Sequence, residues 1–149
     1  MVAPGGILLS LMSQEDTPLS KREHADAMTA AVATRDFKAL ADLVDPEVEL
    51  RSVLAGVEGG TYTGAEGLRT WVEDLHSTWD DYRGEIVEFH EVGDDQTLVI
   101  FRVRGTAKSS GVPLDSRLAQ VWTWRDGKPW RAEAYTDPHE ALKAVGLRE

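Results

Sequence analysis

Four strand-forming stretches follow one another with no helix between them, and this run restricts the fold more than any other feature of the chain. They are residues 82–91, 97–108, 113–125 and 129–136. The connections are short and carry turn chemistry: Asp94-Asp95, Ser109-Ser110-Gly111 and Arg125-Asp126-Gly127-Lys128. The Asp-Gly pair suits a two-residue hairpin turn. Strands joined so closely pair as antiparallel neighbours. The first carries Tyr82, Ile86 and Phe89, and the second opens with Leu98 through Val103.

A sheet of this kind needs a cover, and the N-terminal half supplies helices. Ser20 and Glu23 form a capping box ahead of an amphipathic helix over residues 21–34, with Ala25, Met28, Ala31 and Val32 on one side. Asp36 caps a short second helix carrying Phe37, Leu40, Leu43 and Val44, which ends at Asp45-Pro46. Residues 47–54 alternate, with Val48, Leu50 and Ser52 on one face; Ser52 is the polar member of a core-facing set. A glycine-rich turn over residues 55–60 leads to a short extended piece at Thr61 and Tyr62. The third helix opens at Gly64 and places Leu68, Trp71, Leu75 and Trp79 along one stripe. Asp137, Pro138 and Gly146 punctuate a last short helix. The order lacks the alternating strand–helix units of a doubly wound nucleotide fold.

At 149 residues, with 42% apolar and 28% charged, the chain suits one globular domain able to bury its own core. Residues 1–18 are expected to form a flexible extension, with Met12 an alternative start, and residues 19–149 the single domain. The apolar stretch near the N-terminus is far too short to span a bilayer and lacks a positive leader, so no membrane partner is expected. The net charge of −10, with no basic stripe, argues against a nucleic-acid partner. Absence of cysteine removes disulfides and thiolate chemistry and fits a cytoplasmic location. The four histidines, His24, His76, His90 and His139, have no metal-ligand spacing, and the glycine clusters form no phosphate loop. No metal or cofactor is expected.

Four segments resemble the SnoaL-like members of the NTF2-like superfamily, whose relatives include ketosteroid isomerases and polyketide cyclases. They are residues 34–50, residues 62–71 with Tyr62-Thr-Gly-Ala-Glu-Gly-Leu, residues 120–128 with Gln120-Val-Trp-Thr-Trp, and residues 135–147. The resemblance covers residues 22–147. It implies an α+β, cystatin-like fold: a curved antiparallel or mixed sheet wrapped as a cone against three helices, with a short C-terminal helix. It also implies a conical pocket and a homodimer formed through the outer sheet face. Carried onto this chain, the isomerases' catalytic tyrosine falls near Met28, their base at Ser52 and their second acid at Gln120. None of the three identities is kept, and neither methionine nor serine can do the required proton chemistry. Asp115, at a strand start, is weighed as a cyclase-type acid against a solvated strand-end residue.

Fold alone does not fix function. The ligand-pocket candidates are Met28, Ser52, Trp71, His76, Arg102, Gln120, Trp122, Trp124, Glu133 and Tyr135. Leu118, Gln120, Trp122 and Trp124 share one strand face, which would make an aromatic wall carrying one amide. Arg102, Glu133 and Tyr135 are either ligand contacts or members of the outer, dimer-facing side. His76 either looks into the pocket or packs, and His24 would be its neighbour across the first helix. Three functional readings follow. The first is a domain binding an apolar or aromatic small molecule. The second is a cyclase, isomerase or hydrolase using a pocket carboxylate or activated water. The third is a structural or regulatory homodimer whose tryptophans fill the cone.

Overall fold

The computed structural model describes residues 19–52 and 60–147; the expected extension at 1–18 and most of the glycine-rich turn lie outside them. The elements in order are α1 (Lys21–Thr34), α2 (Phe37–Leu43), β1 (Glu49–Arg51), β2 (Thr61–Thr63), α3 (Gly64–Thr78), β3 (Trp79–Val92), β4 (Gln96–Ala107), β5 (Pro113–Arg125), β6 (Lys128–Tyr135) and α4 (Pro138–Ala144).

The helix ends follow from their capping residues. Ser20 Oγ accepts from the Glu23 amide at 3.0 Å, while Glu23 Oε1 accepts from the Ser20 amide at 2.9 Å, closing the expected capping box of α1. Asp36 caps α2 and Asp137 caps α4 in the same way. Asp126 and Gly127 both take positive φ, 51° and 78°, which is the backbone of the expected β5–β6 hairpin turn.

The strands form one six-stranded mixed sheet in the order β2-β1-β6-β5-β4-β3. The last four pair as an antiparallel meander, and β1 lies parallel to β6, matching Leu50 with Ala132. One boundary needs correction. The stripe read through Trp79 is helical only to Thr78, because Trp79 takes extended geometry and pairs with Ala107 to start β3. Helical periodicity ran one residue past the point where strand pairing won.

Strand alternation divides the core in two. On the inner face Leu50, Val99, Trp122, Trp124 and Ala132 pack with Ala31, Leu40, Leu68 and Val72 from α1, α2 and α3. On the outer face Leu98, Ile100, Ala119 and Val121 pack with Ala141 and Leu142 of α4. A charged clamp ties the α2–β1 connection to the hairpin, since Arg125 donates to Asp45 at 2.9 and 3.1 Å and to Glu47 at 2.8 Å. The Arg125 hydrogen bonds hold the Asp45 carboxyl below the usual carboxylate range. Among the described residues no helix is long and apolar enough to cross a membrane.

Candidate functional site

Between α1, α3 and the inner sheet face lies a cavity of ≈ 80 Å³, taken as the space open to the centre of a water molecule. One buried water needs on the order of 10–15 Å³ of such space, so there is room for several waters or a small organic group. Each element contributes at its own period. Met28 and Val32 come from one side of α1, and Leu68 and Trp71 from α3. Alternate residues Thr97, Val99, Phe101 and Val103 come from β4, and Leu118, Gln120, Trp122 and Trp124 from β5. Ser52, Tyr82, Gly84 and Ala134 complete most of the wall.

The three indoles at the wall share one physical problem, a buried N–H that needs an acceptor. Trp71 donates to Ser52 Oγ at 3.0 Å, Trp122 to Gln120 Oε1 at 2.8 Å, and Trp124 to Thr97 Oγ1 at 3.0 Å. This explains the polar Ser52 in a core-facing set. It also orients Gln120. An indole N–H only donates, so the amide oxygen must face Trp122, and the amide N–H₂ is left without a partner among the described residues.

The register shows how the centre of the cavity is shaped. Gln120 pairs with Val99 on one side and with Ala134 on the other, and Arg51 of β1 pairs with Glu133 of β6. Ser52 and Ala134, the next residues of those two strands, therefore fall in the row of Gln120. The small Ala134 stands between Ser52 and Gln120 in that row.

Among its described lining residues the cavity holds no carboxylate, lysine, arginine or histidine. Tyr82 is its ionisable group, and burial pushes the phenol up to about 12. It stays protonated at neutral pH, a hydrogen-bond donor rather than a base. This wall can bind and orient a molecule, but its described residues offer no group poised for proton abstraction near pH 7.

Of the sequence candidates, Met28, Ser52, Trp71, Gln120, Trp122 and Trp124 come together around this cavity. Four do not. His76 lies outside the lining; its Nε2 is 2.9 Å from the Val32 carbonyl, and its ring meets Tyr82 edge-on. His24 is not beside it, but packs edge-on against Trp124 near the other end of α1. Arg102 is on the outer face, where it binds both oxygens of Asp115 at 2.9 and 3.0 Å. That ion pair also accounts for Asp115, an exposed outer-face residue whose carboxyl the Arg102 hydrogen bonds hold low. Glu133 and Tyr135 line a separate outer groove with Glu49, Arg51 and Arg131. Alternation is the reason: each of the three shares its strand face with residues that pack under α4 or border that groove. Sequence reasoning missed Tyr82 and Gly84 as cavity residues, although their spacing of two on an expected strand places them on one face.

No curated protein matches the chain. Solved structures do. A hypothetical protein from Catenulispora acidiphila with a ketosteroid isomerase-like fold, in complex with trimethylamine, is similar at a TM-score of 0.68 and 19% identity, over 87% of this chain and 96% of that one. TerC, co-crystallised with polyporic acid, is similar at 0.65 and 25% identity, over 83% and 95%. A Mycobacterium tuberculosis protein in complex with estradiol-17beta-hemisuccinate is similar at 0.63 and 13% identity, over 76% and 91%. The fold is thus that of the NTF2-like and ketosteroid isomerase-like proteins. Residues 25–132 match the family described as SnoaL-like domain, and the chain belongs to that family.

Proposed function

We propose that the chain binds a small, uncharged, flat aromatic molecule in the cavity between α1, α3 and the inner face of the sheet. The observation that carries this reading is the composition of the wall. It has aromatic side chains on several sides, one free amide donor, one protonated phenol, and no carboxylate, lysine, arginine or histidine among its described residues. Such a surface suits apolar rings fixed by one or two polar contacts. In TerC the same fold is found with an organic ligand, polyporic acid. The cysteine-free sequence suits a reducing compartment, and the cytoplasm is the proposed place of action.

Tryptophan fluorescence tests the reading, because Trp71, Trp122 and Trp124 report on the cavity directly. Titration with 2-acetylnaphthalene should quench or shift the emission saturably. The same-sized anion 2-naphthoate should bind at least about tenfold more weakly, since burying an unpaired charge costs several kcal/mol. Equal affinity for the two, or binding of neither, would remove the proposal.

The proposed partner is a second copy of the chain, docked on the outer sheet face. Neighbouring β1 and β6 present a checkerboard of charge there, with Glu49 beside Arg131 and Arg51 beside Glu133. None of the four forms an ion pair among the described residues. Turned face to face about a twofold axis along the strands, the pattern sets each arginine opposite a glutamate, as an isologous interface needs. Sedimentation velocity should give a dimer that Arg51→Glu weakens. A monomer at every concentration would contradict it.

A further inference from the structure

Tyr82 sits at the far end of the cavity from Trp124, and three backbone features combine to put it there. The β3–β4 register shifts between Asp80 and Arg83, so Asp81 and Tyr82 together oppose Gly105 in a bulge, with Asp81 at a φ of 52°. Bulges of this kind re-aim side chains. The bulge packs closely on the glycine opposite it: a Cβ on Gly105 would lie 3.1 Å from the Asp80 carbonyl oxygen and 3.4 Å from Tyr82 Cα. Gly84 then leaves space beneath the phenol, where an added Cβ would be 3.4 Å from Tyr82 Oη. The hydroxyl makes no hydrogen bond among the described residues.

The register also sets the shape of the cavity. Its lining residues run along β4 from Thr97 to Val103, a path of about 20 Å at the usual strand rise. Gly84, under the phenol, pairs with Val103, which pairs with Ser116. Gln120 lies four residues further along β5 and two strands across from Gly84. The two unpartnered polar groups therefore stand near opposite parts of a narrow cavity, on the order of 10 Å apart once the side chains lean inward. Both present donors. An amide N–H₂ can only donate, and a phenol hydroxyl donates readily to a carbonyl.

We infer that the ligand is an elongated neutral aromatic with an acceptor oxygen at each end, one taken by the Gln120 amide and the other by the Tyr82 hydroxyl. Tyr82 is thus a specificity-determining contact that selects length and a second carbonyl-type oxygen. The inference rests on the cavity being a binding site, and the test separates the two.

Purified full-length protein and its Tyr82→Phe variant are titrated, with fluorescence readout, against benzene, acetophenone and 1,4-diacetylbenzene. The wild type should prefer the diketone over the monoketone by about fivefold, the effect of one net hydrogen bond. Tyr82→Phe should lose this preference and bind the two ketones nearly alike. A wild type that does not distinguish the ketones, or a variant that keeps the preference, overturns the role of Tyr82 while leaving the cavity reading intact. A wild type that binds none of the three overturns both. Thermal melting checks that the variant is folded, and the wild-type ratio decides by itself if it is not.

Discussion

Thr97 illustrates what one hydroxyl does in an apolar wall. It is fully buried on β4 and accepts the Trp124 indole N–H, whose ring also packs against His24 of α1. Thr97→Val keeps the shape and removes the acceptor, leaving a buried N–H unpaired. A loss of about 1–3 kcal/mol is expected in urea unfolding; an unchanged midpoint would show that the indole finds another acceptor. Ser52 and Gln120 do the same for Trp71 and Trp122. Strand alternation in the sequence was enough to group Ser52 with Val48 and Leu50, and Gln120 with Trp122 and Trp124. It could not supply the partners. The Ser52–Trp71 and Thr97–Trp124 contacts join residues 19 and 27 positions apart, and only the folded register brings them together.

Local sequence chemistry decides most of the elements. The capping box of α1, the aspartate caps of α2 and α4 and the Asp-Gly hairpin each act over a few residues, so each was legible in advance. The α3–β3 junction was not. Trp79 fits the helical stripe of Leu68, Trp71 and Leu75, but pairing with Ala107, 28 residues away, draws it into the sheet. The bulge at Tyr82 escaped for the same reason, because it arises in the pairing with Gly105 on another strand. Close approach between elements also makes Gly67 necessary at the start of α3. A Cβ there would lie 2.9 Å from the Tyr62 carbonyl carbon, a backbone atom that cannot swing aside. Alanine elsewhere in a helix gains about 1 kcal/mol over glycine. Gly67→Ala should instead lower the melting temperature by forcing α3 away from β2. A rise in melting temperature would mean that the junction can adjust.

At the scale of the molecule, one sheet separates two surfaces of different chemistry. The inner face is aromatic and carries no described carboxylate, lysine, arginine or histidine around its cavity, while the outer face carries α4, the Arg102–Asp115 pair and the Glu49, Arg51, Arg131 and Glu133 cluster. Sequence periodicity sorts residues onto two faces but does not say which of them is covered by helices α1 to α3. Arg102, Glu133 and Tyr135 were therefore open to either reading until the sheet was assembled. In the same assembly Trp122 and Trp124 are among the residues that line the cavity of ≈ 80 Å³. A crystal structure of the protein grown with 2-acetylnaphthalene shows most directly whether that space is a binding site. The expected result is the ring against Trp71 and Trp122, over Ala134, with its carbonyl oxygen within hydrogen-bond distance of Gln120 Nε2. A ligand seated only on the outer face, or a cavity that stays unchanged at saturating ligand, would contradict it.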